Sequence, residues 1–114
     1  RQVEAIGRPG DVLLVLSTSG ASRNLVHAVE AANAMGMVTV ALVGQTPRPL
    51  HERCAHVLAV PSDHIPTVQE CHLVLVHVLV EEIENALDVP HTAFLHRGPT
   101  RRGPSVGSPA ARNR

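Results

Sequence analysis

Apolar positions recur along this chain in two alternating rhythms. The run DVLLVLS (11–17) is continuous and apolar behind a Pro-Gly pair, which predicts a strand buried on both faces of a parallel sheet. In SRNLVHAVEAANAMG (22–36) the spacing changes to three and four: Leu25, Val29, Ala32 and Met35 fall on one helical face, and Gly36 stands where a helix ends. The β-branched MVTVALVG (37–44) and the shorter AHVLAVP (55–61) predict two more strands, with QTPRPLHERC between them as a loop holding about one helical turn.

From Pro66 to about Leu87 the pattern predicts one long helix without internal Gly or Pro, with Ser62 or Asp63 as its cap and Pro66 in its first turn. The segment Leu73 to Val80 is apolar nearly all round, which implies burial on several sides, against a partner subunit or further chain. RQVEAIG (1–7) reads as the closing turns of a helix whose start is absent. Strands alternating with helices imply right-handed crossovers and a doubly wound α/β sheet. Such sheets normally have five or six strands, so the expectation is an incomplete domain over residues 1–90.

Composition adds limits. The 114 residues are 44% apolar, enough for one small core, and carry a single aromatic ring, Phe94. Base-stacking recognition of nucleic acid is therefore not expected. Ten basic residues balance ten acidic ones, yet five of the basic ones fall after residue 96, so the folded part is acidic and no polyanionic partner is expected for it. Residues 91–114, rich in Pro, Gly and Arg, are expected to form a disordered tail; a basic RNA-binding tail is the alternative by composition. Cys54 and Cys71 lack metal spacing and read as thiols of a reducing cytoplasm, and no apolar run is long enough for a membrane span.

The chemistry concentrates in two places. STSGAS (17–22) lies between the first strand and its helix, at the strand's carboxyl end, where open α/β sheets bind ligands. Ser17, Thr18, Ser19 and Ser22 offer hydroxyl donors, and the helix start that follows favours an anion such as phosphate. The loop is neither a nucleotide P-loop nor a dinucleotide fingerprint, nor is it a nucleophile elbow, because Ser17 replaces the required glycine. A plain capping role for Ser19 or Ser22 stands beside the phosphate reading.

The second place is the long helix, where Gln69, His72 and His77 fall on neighbouring parts of one face. Within its apolar stretch His77 needs a partner, either a backbone carbonyl in the core or a metal. Zinc takes three or four ligands, so this helix supplies part of a site at most. His27, His51, His56, His64, His91 and His96 share no ligand spacing and read as surface or loop residues.

Taken together, GDVLLVLSTSGASRNLVHAVEAANAMGMVTVALVG, AHVLAVPSD and VQECHLVLVHVLVEEIE resemble the second half of a sugar isomerase (SIS) domain of the phosphoheptose isomerase type, over roughly residues 1–87. The resemblance implies a flavodoxin-like three-layer sandwich and conversion of sedoheptulose 7-phosphate to a D-glycero-D-manno-heptose 7-phosphate. It also implies zinc, a homotetramer and active sites between subunits. By resemblance, Ser17, Thr18, Ser19 and Ser22 bind the substrate phosphate and Gln69 binds substrate and zinc. His77 would bind zinc and move a proton between C1 and C2 of an enediol. The family's remaining ligands, a His and a Glu with the Glu as second base, belong to a half this sequence does not contain. Pro66 also stands close to Gln69, where the family has helix formers. Two alternatives follow: a non-catalytic SIS module that binds phosphosugar or a protein, of the regulator or replication-initiator-associated type, and a truncated product without function.

Overall fold

The computed structural model describes residues 1–87, so the expected tail lies outside the described residues. The elements run α1 (Gln2–Ile6), β1 (Val12–Ser17), α2 (Arg23–Ala34), β2 (Val38–Val43), α3 (Pro49–Arg53), β3 (His56–Ala59) and α4 (Ile65–Ala86). Each expected strand and helix is present, within a few residues of its expected ends.

The three strands form one parallel sheet in the order β1-β2-β3, with Val12 opposite Val38 and Val40 opposite His56. Helices α2 and α3 connect successive strands, and both pack on one face of the sheet. There Val15, Ala41 and Val43 meet Val29 of α2 and Leu50 of α3 in the main core. Alternation along a strand sends the neighbouring residues to the opposite face, which α4 crosses. Leu16 on β1 and Leu58 and Val60 at β3 line grooves whose other walls are α4 residues. The result is the expected three-layer α/β arrangement.

The expected burial of β1 on both faces is corrected by the structure: Leu14 is 37% and Leu16 44% exposed. One helix spans the α4 face, whereas two cover the other, so apolar strand residues there keep part of their surface in water. The same cause corrects the expected all-round burial of the long helix. Only Val68 and His72 of α4 are buried, while Leu73, Val74, Val78 and Val80 stay exposed.

The start of α4 also differs from expectation. His64, not Ser62 or Asp63, is the N-cap, and its ring Nδ1 lies 2.9 Å from the Thr67 hydroxyl. Ser62 instead accepts the His64 N–H, and Asp63 is turned toward the β2 loop. Pro66 takes its place in the first turn, where a missing N–H costs nothing. No described helix is long and apolar enough to cross a membrane.

Candidate functional site

The hydroxyl loop is shaped by the end of β1 and by the segment after β2. Gly20 adopts φ +65°, and a Cβ placed there would sit 3.2 Å from both the Arg48 Cβ and the His51 ring, so the loop closes against the start of α3. The Leu50 N–H donates to the Gly20 carbonyl at 3.1 Å and fixes that contact. His51, expected at the surface, is half-buried and performs the bracing. Its Nδ1 accepts the Arg48 N–H at 3.1 Å, which leaves the proton on Nε2 to donate to the Gly44 carbonyl at 3.2 Å. A neutral ring thus ties the start of α3 to the end of β2.

Inside the loop, Ser17 Oγ accepts the Gly20 N–H at 3.0 Å and Ser19 Oγ accepts the Ala21 N–H at 3.3 Å. A hydroxyl that accepts a loop amide still has its own proton to donate, so both remain donors toward an anion. Ser22 is the N-cap residue of α2, yet its side chain makes no capping bond. The expectation that a serine caps this helix therefore holds for Ser22 by position and not by its hydroxyl.

Two cavities open on this loop. The first, about 410 Å³, runs between the end of β1 and α4 and brings Ser17 and Thr18 together with Gln69, His72, Leu73 and Val76. The second, about 300 Å³, lies over the strand ends and brings Thr18 and Ser19 together with Thr46, Arg48, Asp63 and Ile65. Thr18 lines both. Asp63 accepts the Thr46 N–H at 3.1 Å and the Thr46 hydroxyl at 2.7 Å. These bonds, with a smaller contribution from the Arg48 charge, hold its carboxyl below the usual carboxylate range.

The long helix divides its three candidate residues differently from expectation. His72, not His77, is the buried histidine: it is 4% exposed, and its Nε2 donates to the Val43 carbonyl at 3.3 Å, joining α4 to β2. His77 is exposed. Five residues separate the two, which turns His77 through about 140° from the sheet-facing side. Gln69 is exposed at the mouth of the first cavity, whereas His77 lines neither cavity. Gln69 and His77 stand about 12 Å apart along the helix axis. Among the described residues no group of three or more His, Cys, Asp and Glu side chains converges to hold a metal. Gln69 and His77 alone thus do not make the tetrahedral donor set that zinc takes.

Sequence reasoning assigns no role to Thr46 or Arg48, reads His51 as a surface or loop residue and offers Asp63 only as a helix cap. A usable signal existed, since QTPRPLH follows a strand and so belongs at the carboxyl edge where such sheets bind ligands.

The SIS domain family matches residues 1–44. The phosphoheptose isomerase of Akkermansia muciniphila is 46% identical over 87 residues, which is 76% of this chain and 46% of that protein. The Streptomyces coelicolor phosphoheptose isomerase is 49% identical over 88 residues, 77% of this chain and 38% of that one. Among solved structures, a phosphoheptose isomerase from Francisella tularensis superposes with a TM-score of 0.71 at 40% identity, covering 74% of this chain and 47% of its own. One from Neisseria gonorrhoeae gives 0.69 at 38% identity, covering 72% and 47%. The chain spans less than half the length of these relatives. By sequence and by fold the chain is similar to part of the SIS-domain phosphoheptose isomerases.

Proposed function

We propose that this chain forms the phosphate-binding part of a phosphoheptose isomerase, acting on sedoheptulose 7-phosphate. The observation that carries the proposal is the first cavity, where Ser17 and Thr18 face Gln69 across the end of β1. Ser17, Thr18, Ser19 and Ser22 would anchor the phosphate with hydroxyl donors, and the start of α2 would add backbone donors. Gln69 would orient the sugar through its amide.

Aldose–ketose isomerisation removes a proton from one carbon, passes through an enediol, and returns a proton to the neighbouring carbon while a hydroxyl and carbonyl exchange roles. His77 is the acid/base we assign to this chain. Its exposed position outside both cavities fits a site that is closed by further polypeptide, and a homotetramer with sites between subunits is the assembly we propose. A second base has to come from outside the described residues. Zinc, when bound, would polarise the carbonyl and acidify the adjacent C–H. Gln69 and His77 would supply two of its ligands, and at least one more is needed. We place the protein in the cytoplasm on the strength of its two free thiols.

A second reading, non-catalytic phosphosugar binding, is favoured by the incomplete donor set among the described residues. The purified chain, with and without added zinc, should convert sedoheptulose 7-phosphate with growth of the aldose C1 proton signal by NMR. Binding without turnover selects the second reading, and absence of binding removes both. His77→Ala should abolish turnover while leaving phosphate affinity within about twofold; retained turnover would remove His77 from the mechanism.

A further inference from the structure

Arg48 opens the second cavity on one side, and the hydroxyls of Thr18 and Ser19 open it on the other. Its backbone is held on both flanks. The Arg48 N–H donates to His51 Nδ1, and Gly20 of the hydroxyl loop packs against its Cβ. The start of the side chain is therefore fixed relative to the loop, while the guanidinium forms no ion pair or hydrogen bond among the described residues.

Asp63 is the one carboxylate lining this cavity, and both its oxygens are already engaged by Thr46. The result is a small polar recess with several hydroxyl donors, one carboxylate occupied elsewhere and one cation whose fork of donors is unused. Guanidinium matches the oxygen spacing of a phosphate or carboxylate and can donate two parallel bonds to it. Thr18 is shared with the first cavity, so an anion on the hydroxyl loop lies between the two recesses.

We propose that Arg48 is a substrate-binding residue that closes over the phosphate monoester held by the Thr18–Ser19 loop, entering from the second cavity. This rests on the phosphate reading of the loop and deepens it. The serine and threonine hydroxyls supply position and Arg48 supplies charge. Asp63, without a direct bond to the guanidinium, keeps it near the cavity when no anion is bound.

The test is titration of the full chain with inorganic phosphate and with sedoheptulose 7-phosphate, by calorimetry at low salt, for the unaltered chain, Arg48→Ala, Arg48→Lys and Ser19→Ala. Arg48→Ala should weaken both ligands by roughly five- to thirtyfold, with Arg48→Lys between it and the unaltered chain, because a point charge replaces a fork. The loss should shrink as salt is raised. Far-ultraviolet circular dichroism of each variant must match the unaltered chain, which an exposed residue permits. Weakening by Ser19→Ala with no change in Arg48→Ala overturns the Arg48 assignment and leaves the loop reading intact. Absence of phosphate binding by the unaltered chain overturns both.

Discussion

Gly44 sits just past β2, where three segments of the candidate site meet, and Gly44→Ala tests how closely they are joined. A Cβ at this position would lie 2.6 Å from the Thr18 carbonyl oxygen and 3.2 Å from that of Ser62. Carbon and oxygen normally approach to roughly 3.3 Å or more, so the first contact falls short by about 0.7 Å, and the obstacle is backbone that no rotamer change can move. Overpacking of this kind costs about 1–3 kcal/mol. Replacing glycine by alanine also stiffens the unfolded chain, which offsets about 0.4–1 kcal/mol. The expected net loss is about 1–2 kcal/mol, accompanied by displacement of Thr18 and weaker phosphate binding. With no Trp or Tyr in the chain, urea unfolding is best followed by far-ultraviolet circular dichroism. Gly10→Ala is the comparison: its Cβ meets nothing within 4 Å, so only its positive φ of 88° is strained. It should lose about 1–2 kcal/mol from that strain alone and leave phosphate binding unchanged. A change in Gly44→Ala below about 0.3 kcal/mol, with unaltered phosphate affinity, would refute the close packing of β1, β2 and the α4 approach described above.

The two histidines of α4 should separate cleanly by the same unfolding assay. His72→Ala removes a buried ring and its bond to Val43, for about 2–4 kcal/mol, whereas His77→Ala should stay within about 0.5 kcal/mol. Equal effects would contradict their assigned environments. Asp63 has a carboxyl lowered in the folded state, so its contribution to stability is present above the ordinary carboxylate value and is lost as pH falls through the folded one. Asp63→Asn should therefore be less stable than the unaltered chain at pH 7, with the gap closing below about pH 4. A gap that does not narrow at all as pH is lowered below about 4 would show that the charge is not its source.

Much of the fold was legible in sequence because its signals are local. The apolar run 12–17, the 3.6-residue period of 23–34 and the uninterrupted helix from 65 onward each carry their own periodicity, and a parallel sheet follows from their alternation. The hydroxyl loop was legible for the same reason: it lies between a strand and a helix, where loop position and chemistry coincide. What failed were statements about neighbours. Apolar composition alone suggested that Leu73 to Val80 and His77 are buried, yet burial depends on which helical face meets the sheet, and that face belongs to Val68 and His72.

The sequence by itself determined the strand and helix order, the parallel sheet, the hydroxyl loop and the kinship these carry. Tertiary structure alone decided that His72 rather than His77 bonds the sheet, that His51 braces the loop, and that Thr46, Arg48 and Asp63 join Ser19 around one cavity. Those residues lie far apart along the chain or on different faces of one helix. Parallel crossovers bring the carboxyl ends of successive strands together in space, and no pattern within a single segment records that meeting.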